Sequence, residues 1–149
     1  MSASSDTLIL QASTVAINGR ALAIEGPPGS GKSSLALALI DRGAQLIGDD
    51  GVTLKREGET LVAHPPPNIA GLIEVHGVGL AELPPAEPCP LALILLLDEA
   101  VTRLPDIVPK RELLGVDIPV LAFEPGTIAP ALRAEWALAK LGLMSTSST

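Results

Sequence analysis

The chain has 149 residues, of which 47% are hydrophobic and only 1% aromatic, and its formal net charge at pH 7 is −7. This length is typical of one domain that buries enough surface to fold without disulfides, and the single cysteine, Cys89, excludes an internal disulfide. The negative charge and the scarcity of aromatic side chains argue against a nucleic-acid partner. No signal-peptide pattern is present, and the longest strongly apolar run, residues 91–97, is too short to span a membrane. We therefore expect a cytoplasmic protein without a membrane contact.

Hydrophobic periodicity and turn residues predict an alternation of strands and helices. The pair Asn18-Gly19 favours a tight turn, so residues 15–24 are predicted to form a hairpin whose second strand leads into a glycine-rich loop. A helix is predicted for residues 33–42, closed by Gly43. Further strands are predicted at residues 45–48, 52–56, 60–63, 72–75, 91–97 and 118–123.

A buried strand and a C-terminal helix are predicted in the second half of the chain. The continuous aliphatic run at 91–97 is typical of a central strand that is covered on both faces. A helix is predicted at 129–143, where Leu132, Trp136, Ala139 and Leu143 recur at helical spacing, and Trp136 is interpreted as a core anchor. One domain is expected over residues 8–144, with a flexible start at 1–7 and a disordered tail at 145–149.

The segment from Gly26 to Ser33 fits the phosphate-binding loop pattern G-x-x-x-x-G-K-[ST] at every fixed position. The predicted strand before it and the predicted helix after it are the context that this motif needs. In such a loop, backbone N–H groups surround a polyphosphate and the helix N-terminus adds partial positive charge. Lys32 is expected to reach the β- and γ-phosphates, and the Ser33 hydroxyl to bind Mg²⁺. The alternative, a glycine-rich turn that binds nothing, is disfavoured by this context.

Two adjacent carboxylates, Asp49 and Asp50, follow the strand predicted at 45–48. Phosphate-loop proteins use an acid at a strand end to hold Mg²⁺, and neighbouring strand residues point to opposite faces. One of the two acids can therefore serve the metal while the other accepts a proton from an attacking hydroxyl. The alternative is an ordinary Asp-Asp-Gly turn. A third acid, Glu74, lies in an otherwise apolar strand, where it either faces solvent or holds a metal.

The phosphate loop, the helix ending in Asp41-Arg42-Gly43, the segment 46–50 and the segment 71–79 together resemble the HPr kinase/phosphorylase family. The resemblance runs from about Leu8 to the C-terminal helix and is to a short form with only the catalytic domain. It implies a mixed α/β, phosphate-loop kinase fold related to the nucleotide-binding part of ATP-dependent phosphoenolpyruvate carboxykinase. It also implies an ATP- and Mg²⁺-dependent kinase acting on a serine of HPr, a small phosphocarrier protein, and a homo-oligomer, often a hexamer.

The resemblance also implies roles for individual residues. Asp49 matches the family's proton acceptor, with Asp50 beside it, and Glu74 matches the family's second Mg²⁺ ligand. Arg103 lies near the position that a catalytic arginine occupies in the family. The predicted catalytic residues are Lys32, Asp49, Asp50 and Arg103. The predicted metal ligands are Ser33, Asp50 and Glu74. The predicted nucleotide-binding residues are Gly26, Pro27, Pro28, Gly29, Ser30, Gly31, Lys32, Ser33, Ser34 and His76.

The chain departs from the family pattern at two of its motifs. Gln11 stands where the family has a histidine, and His76 stands where its signature has an arginine; neither replacement keeps the chemistry. His76 either faces the phosphates or is an ordinary loop histidine. The segment 123–127 lacks the basic residues that support phosphorolysis in longer members, which puts that reaction in doubt. Three hypotheses follow: an HPr kinase, a nucleotide-binding regulator with little phosphotransfer, and a phosphate-loop kinase for another acceptor.

Overall fold

The computed structural model describes residues 6–67, 71–98 and 105–144, and within these ranges it contains eleven strands and two helices. Arg103, residues 1–5 of the predicted flexible start at 1–7, and the predicted tail 145–149 lie outside the described residues. Thr7, the last residue of that predicted start, already belongs to a strand. The elements are β1 (Thr7–Leu10), β2 (Ser13–Ile17), β3 (Arg20–Glu25), α1 (Lys32–Asp41), β4 (Gln45–Gly48), β5 (Val52–Glu57), β6 (Thr60–His64), β7 (Leu72–Val75), β8 (Gly79–Glu82), β9 (Cys89–Leu97), β10 (Lys110–Leu113), β11 (Val116–Phe123) and α2 (Pro130–Leu141).

Nine strands form one mixed sheet that divides into two arms at β9. One path through the described strands runs β1-β5-β6-β9-β3-β2-β4, and β11 with β10 forms a second arm that pairs with β9. The start of β9 pairs antiparallel with β6 through Cys89 and Pro90, whereas its later residues lie parallel to both β3 and β11. The remaining two strands, β7 and β8, form a separate antiparallel hairpin.

The three parallel strands β3, β9 and β11 determine where a ligand can bind. Because they run in the same direction, their carboxyl ends meet at one edge of the sheet. The phosphate loop follows β3, residue 98 follows β9, and the segment 124–129 follows β11. Ligands of open α/β sheets bind outside the carboxyl ends of the strands, so this edge is the place to look for a site.

The core lies on both faces of the central strands, as the aliphatic run predicts. On β3, Leu22 and Ile24 belong to a cluster with α1 and α2, while Ala21 and Ala23 belong to a cluster with β5 and β6. β9 alternates in the same way and is almost fully buried. This alternation follows from the period of two along a strand, and it confirms the prediction of a doubly covered central strand.

The local predictions near the phosphate loop agree with the structure. Asn18 and Gly19 both adopt positive φ, at 52° and 79°, and join β2 to β3 in an antiparallel hairpin. The predicted first helix is α1, displaced by one residue. The strands β1, β8 and β10 have no counterpart in the prediction, because none of them shows a clear apolar alternation.

The prediction that Trp136 anchors the core is wrong, since its side chain is 61% exposed. The buried face of α2 consists of Ala131, Ala134 and Leu138, and Leu132 is partly exposed. Small alanines let the helix axis approach α1 and the sheet closely, so the face with the small residues is the one that packs. The prediction from helical spacing rests on the stripe Leu132, Trp136, Ala139 and Leu143, which is the exposed face of the helix.

Candidate active site

The phosphate loop places a helix N-terminus at the carboxyl edge of the sheet. Gly31 precedes α1 with φ of +98°, a conformation that favours glycine. No side chain caps α1 and its first turn contains no acid, so the first N–H groups are available to an anion. A Cβ at Gly26 would lie only 2.5 Å from the Ser30 hydroxyl oxygen, which shows how tightly this loop closes. The Lys32 ammonium folds back over the loop and donates to the Gly26 carbonyl at 2.9 Å.

A bidentate ion pair anchors the end of β3, the strand that leads into this loop. The two terminal guanidinium nitrogens of Arg111, on β10, donate to the Glu25 carboxylate at 2.8 and 2.9 Å. Glu25 is the last residue of β3 and directly precedes Gly26, and its side chain is mostly buried. The hydrogen bond to Glu25 raises the pKa of Arg111, opposed in part by burial. Since fork-to-fork pairs of this kind are geometrically specific, Arg111 fixes the position at which the loop begins.

The Asp49 carboxylate connects three different elements. Its Oδ1 accepts hydrogen bonds from the Ser33 hydroxyl at 2.7 Å and from the Ser13 hydroxyl at 3.0 Å. Its Oδ2 accepts a hydrogen bond from the backbone N–H of Glu74 at 3.2 Å. Asp49 thus lies against the serine of the phosphate loop, which is the position that an acid must occupy to share a metal with that serine.

Asp50 differs from Asp49 in its backbone conformation and in the exposure of its side chain. It adopts φ of +62°, a left-handed conformation that costs energy for a residue with a Cβ but is tolerated by aspartate. Its exposed side chain lines a cavity of about 470 Å³ that also contains Lys32 and Ser33. Backbone strain of this kind concentrates at functional sites, where it re-aims a side chain.

The hairpin of β7 and β8 forms the far side of this cavity. Ile73 is buried in the core, whereas the next residue, Glu74, is exposed and lines the cavity together with His76. The alternation along β7 therefore turns Glu74 away from the core. Of the two readings of His76, the cavity lining favours the one in which it faces the phosphates.

All the predicted nucleotide-binding residues except Gly26 line this cavity. Asp49 lies behind its wall, in contact with Ser33. Two residues that reasoning from sequence missed are Ser13 and Arg111. Ser13 is fully buried on β2, and a buried hydroxyl needs a partner, but the sequence offers no sign that the partner is Asp49.

The donor set fits Mg²⁺ rather than a softer metal. Ser33, Asp49, Asp50 and Glu74 offer hydroxyl and carboxylate oxygens, which hard cations prefer. No group of three His, Cys, Asp or Glu side chains in the described residues is arranged to hold a metal by itself. Mg²⁺ bound together with a nucleotide uses one or two protein oxygens plus phosphates and waters, so the residues present fit that kind of site.

Comparisons with known proteins agree with this geometry. HPr kinase/phosphorylase of Shouchella clausii is 43% identical over 67 residues, which cover 44% of this chain and 22% of that protein. HPr kinase/phosphorylase of Clostridium acetobutylicum is 41% identical over 70 residues, 47% of this chain and 23% of that protein. Each alignment thus spans less than a quarter of the relative's length.

A solved structure extends the likeness over the fold. The HPr(Ser) kinase/phosphatase from Coxiella burnetii superposes with a TM-score of 0.79 at 26% identity, covering 89% of this chain and 94% of that one. No helix within the described ranges is long and apolar enough to cross a membrane. The family description "HPr Serine kinase C-terminal domain" matches residues 3–85, which is more than half of the chain and includes the phosphate loop, the aspartate pair and Glu74. The chain therefore belongs to the HPr serine kinase C-terminal domain family.

Proposed function

We propose that this protein is an ATP- and Mg²⁺-dependent kinase that phosphorylates a serine of HPr and so regulates phosphotransferase-system signalling. The observation that carries the proposal is the hydrogen bond between Ser33 and Asp49, at 2.7 Å beside the phosphate loop. A glycine turn without a ligand does not need a carboxylate against its terminal serine. We infer the acceptor from the aligned relatives, because their names specify HPr.

The phosphate loop and Lys32 would bind and orient the triphosphate. N–H groups at the start of α1 would donate to the phosphates, and the Lys32 ammonium, which donates to the Gly26 carbonyl, would supply positive charge as negative charge develops during transfer. Bound at Ser33 and the neighbouring carboxylates, Mg²⁺ would supply further neutralisation of phosphate charge. Positioning and electrostatics of this kind account for most of the catalysis of phosphoryl transfer.

The two aspartates take roles opposite to those that the family resemblance assigned. Asp49 is held by Ser13, Ser33 and the Glu74 backbone, so its carboxylate is already engaged beside the serine that is expected to hold the metal. Asp50 is exposed and lines the open cavity, where a hydroxyl of the acceptor can reach it. We therefore assign proton acceptance to Asp50 and the metal side to Asp49.

The opposite reaction, phosphorolysis of phosphoserine, has less support. The segment after β11 reads Glu124-Pro125-Gly126-Thr127 and contains no cation. Arg133, the nearest arginine in sequence, donates to backbone carbonyls of this segment. The homo-oligomer expected from the resemblance stays a prediction, which light scattering of the purified chain would test.

The test is transfer of label from γ-labelled ATP to purified HPr with Mg²⁺, comparing wild type with Lys32→Ala and Arg42→Ala. Arg42 pairs with Glu135 at the surface, so its variant serves as the matched control. We expect phosphoserine on HPr with wild type and Arg42→Ala, and none with Lys32→Ala. ATP binding without label on HPr would contradict the kinase proposal and would indicate a nucleotide-binding regulator or a different acceptor.

A further inference from the structure

We propose that the outer face of the hairpin formed by β7 and β8 is the surface on which the acceptor protein docks while its serine enters the cavity beside Asp50. This inference rests on the proposed function and deepens it, because it names the surface that receives the partner of the same site. The partner that fits is a folded protein that presents an apolar patch, with cationic groups around it, next to its serine.

The two faces of the hairpin differ in burial. On the inner face, Ile73 is buried, and its cross-strand partner Ala81 packs against the same core cluster. On the outer face, Glu74 is exposed and lies opposite Leu80, whose side chain is 73% exposed. Because directly paired residues of neighbouring strands point to the same side of a sheet, the leucine and the carboxylate share the outer face.

The turn of the hairpin adds a second exposed aliphatic side chain, that of Val78, which is 81% exposed. The Val78 N–H donates to the Val75 carbonyl at 2.9 Å, and the flanking residues Gly77 and Gly79 have φ of +77° and +117°. These conformations favour glycine, so the turn has a defined shape that keeps Val78 in solvent. Two large aliphatic side chains that are exposed together on one short hairpin indicate a surface for a protein partner.

The exposed face is continuous with the wall of the cavity in which we place phosphoryl transfer. Glu74 and His76, which line that cavity with Asp50, belong to the same hairpin as Val78 and Leu80. A protein whose serine reaches Asp50 must lay the surface around that serine against the rim of the cavity. The hairpin forms one side of this rim, so the acceptor protein is the partner that reaches its exposed face.

The charge of the outer face indicates what the partner carries. Glu82, two residues after Leu80 on β8, is exposed and points to the same side of the hairpin. Together with Glu74 it places carboxylates beside the apolar side chains. A partner with lysine or arginine around its apolar patch complements this face, whereas two copies of this chain meeting through it would bring like charges together.

The test is steady-state phosphorylation of HPr at saturating Mg²⁺ and ATP, measured for Val78→Ser and Leu80→Ser. We expect each variant to raise the KM for HPr about tenfold, as for a central residue of an interface, and to leave kcat and ATP affinity within about twofold of wild type. Ile9→Ser is the matched control, because Ile9 on β1 is 71% exposed and does not line the cavity. Its KM should equal that of wild type.

A second pair of variants tests the charge of the face. Glu82→Lys should raise the KM for HPr and weaken its dependence on salt, because salt screens the attraction between opposite exposed charges. Glu59→Lys makes the same change of net charge at an exposed position that does not line the cavity. It should have a much smaller effect, and equal effects of the two variants would show that net charge alone matters, against the inference.

A wild-type KM in both serine variants, or a fall in kcat without a rise in KM, would overturn the inference while the proposed function stands. Absence of label on HPr with the wild-type protein would overturn the proposed function, and the inference with it. Photocrosslinking identifies the occupant directly: Val78→benzoylphenylalanine should form an adduct with HPr, and the same change at Ile9 should not. An adduct at position 78 that joins only two copies of this chain would overturn the inference.

Discussion

Two strand–loop–helix units, β3 to α1 and β11 to α2, lie at the same edge of the sheet. They share a backbone arrangement but differ in the side chains around the start of the helix. In each, a strand parallel to β9 ends in a loop, a residue with positive φ precedes the helix, and no side chain caps that helix. The first unit, β3 to α1, begins its helix with Lys32 and Ser33 and leaves its N–H groups open to an anion. The second, β11 to α2, begins with Pro130, which has no N–H to offer.

The difference indicates that a helix N-terminus is suited to phosphate only when the residues around it also supply charge and open backbone N–H groups. Around α1, a glycine loop, a lysine and an aspartate held by Ser33 combine. Around α2, Arg133 turns its charge onto the carbonyls of its own loop. The first unit is therefore suited to phosphates, whereas the arginine of the second unit is engaged with its own loop.

The largest effect should come from removing the cation of the first unit. Lys32→Ala takes away a charge that we propose faces the phosphates, so we expect transfer to fall about 10²–10³-fold. Binding of ATP and of inorganic tripolyphosphate should weaken together, because both present phosphates to the same loop. Calorimetry with both ligands checks this, and a Lys32→Ala protein that kept wild-type affinity for tripolyphosphate would place the phosphates elsewhere.

The next effect concerns the anchor of the first loop. Arg111→Ala leaves the mostly buried Glu25 carboxylate unpaired beside the phosphate loop, so the free energy of unfolding should fall by about 1–2 kcal/mol, between the values for exposed and buried pairs. Tripolyphosphate binding should weaken as well, because an unneutralised negative charge then precedes the loop.

Urea unfolding and calorimetry measure the two effects of Arg111→Ala. Lys110→Ala, at the exposed neighbouring position of β10, is the matched control. Equal stability of the Arg111 and Lys110 variants would show that the ion pair does not hold the loop.

A smaller effect should follow from Ser13→Ala, which removes one hydrogen bond to Asp49. One such bond contributes about 1 kcal/mol, so the Mg²⁺ concentration for half-maximal transfer should rise about fivefold. Thr14→Val is the control, since the buried Thr14 hydroxyl has no hydrogen-bond partner among the described residues. An unchanged Mg²⁺ dependence in Ser13→Ala would separate Ser13 from the site.

The last effect concerns the pH dependence of stability and lies away from both units. Burial raises the pKa of the Cys89 thiol to about 11 from an ordinary value of 9.0. Between these values the unfolded chain releases the proton that the folded chain keeps, so stability falls as pH rises from 9 towards 11. Cys89→Val should flatten this slope in urea unfolding series at pH 8, 9 and 10. An unchanged slope would assign the pH dependence to other groups.

The local parts of the site could be predicted from the sequence, whereas its long-range contacts could not, for a physical reason. The phosphate loop is local: its glycines, Lys32 and Ser33 are neighbours in sequence, and so are Asp49 and Asp50. The contacts of Ser13 with Asp49 and of Arg111 with Glu25 span 36 and 86 residues, and only the sheet topology brings them together. The exposure of Trp136 shows the same limit, because which face of α2 packs depends on its neighbours.

The measurement that tests the account most directly is single-turnover transfer from ATP to HPr, followed against Mg²⁺ concentration, for Asp49→Asn and Asp50→Asn. We expect Asp50→Asn to lower the rate about 10²-fold or more at every Mg²⁺ concentration, with ATP affinity unchanged, because the proton acceptor is lost. We expect Asp49→Asn to recover much of its rate as Mg²⁺ rises. Normal transfer by Asp50→Asn, together with an Asp49→Asn protein that stays inactive at saturating Mg²⁺, would contradict the division of roles between the two aspartates.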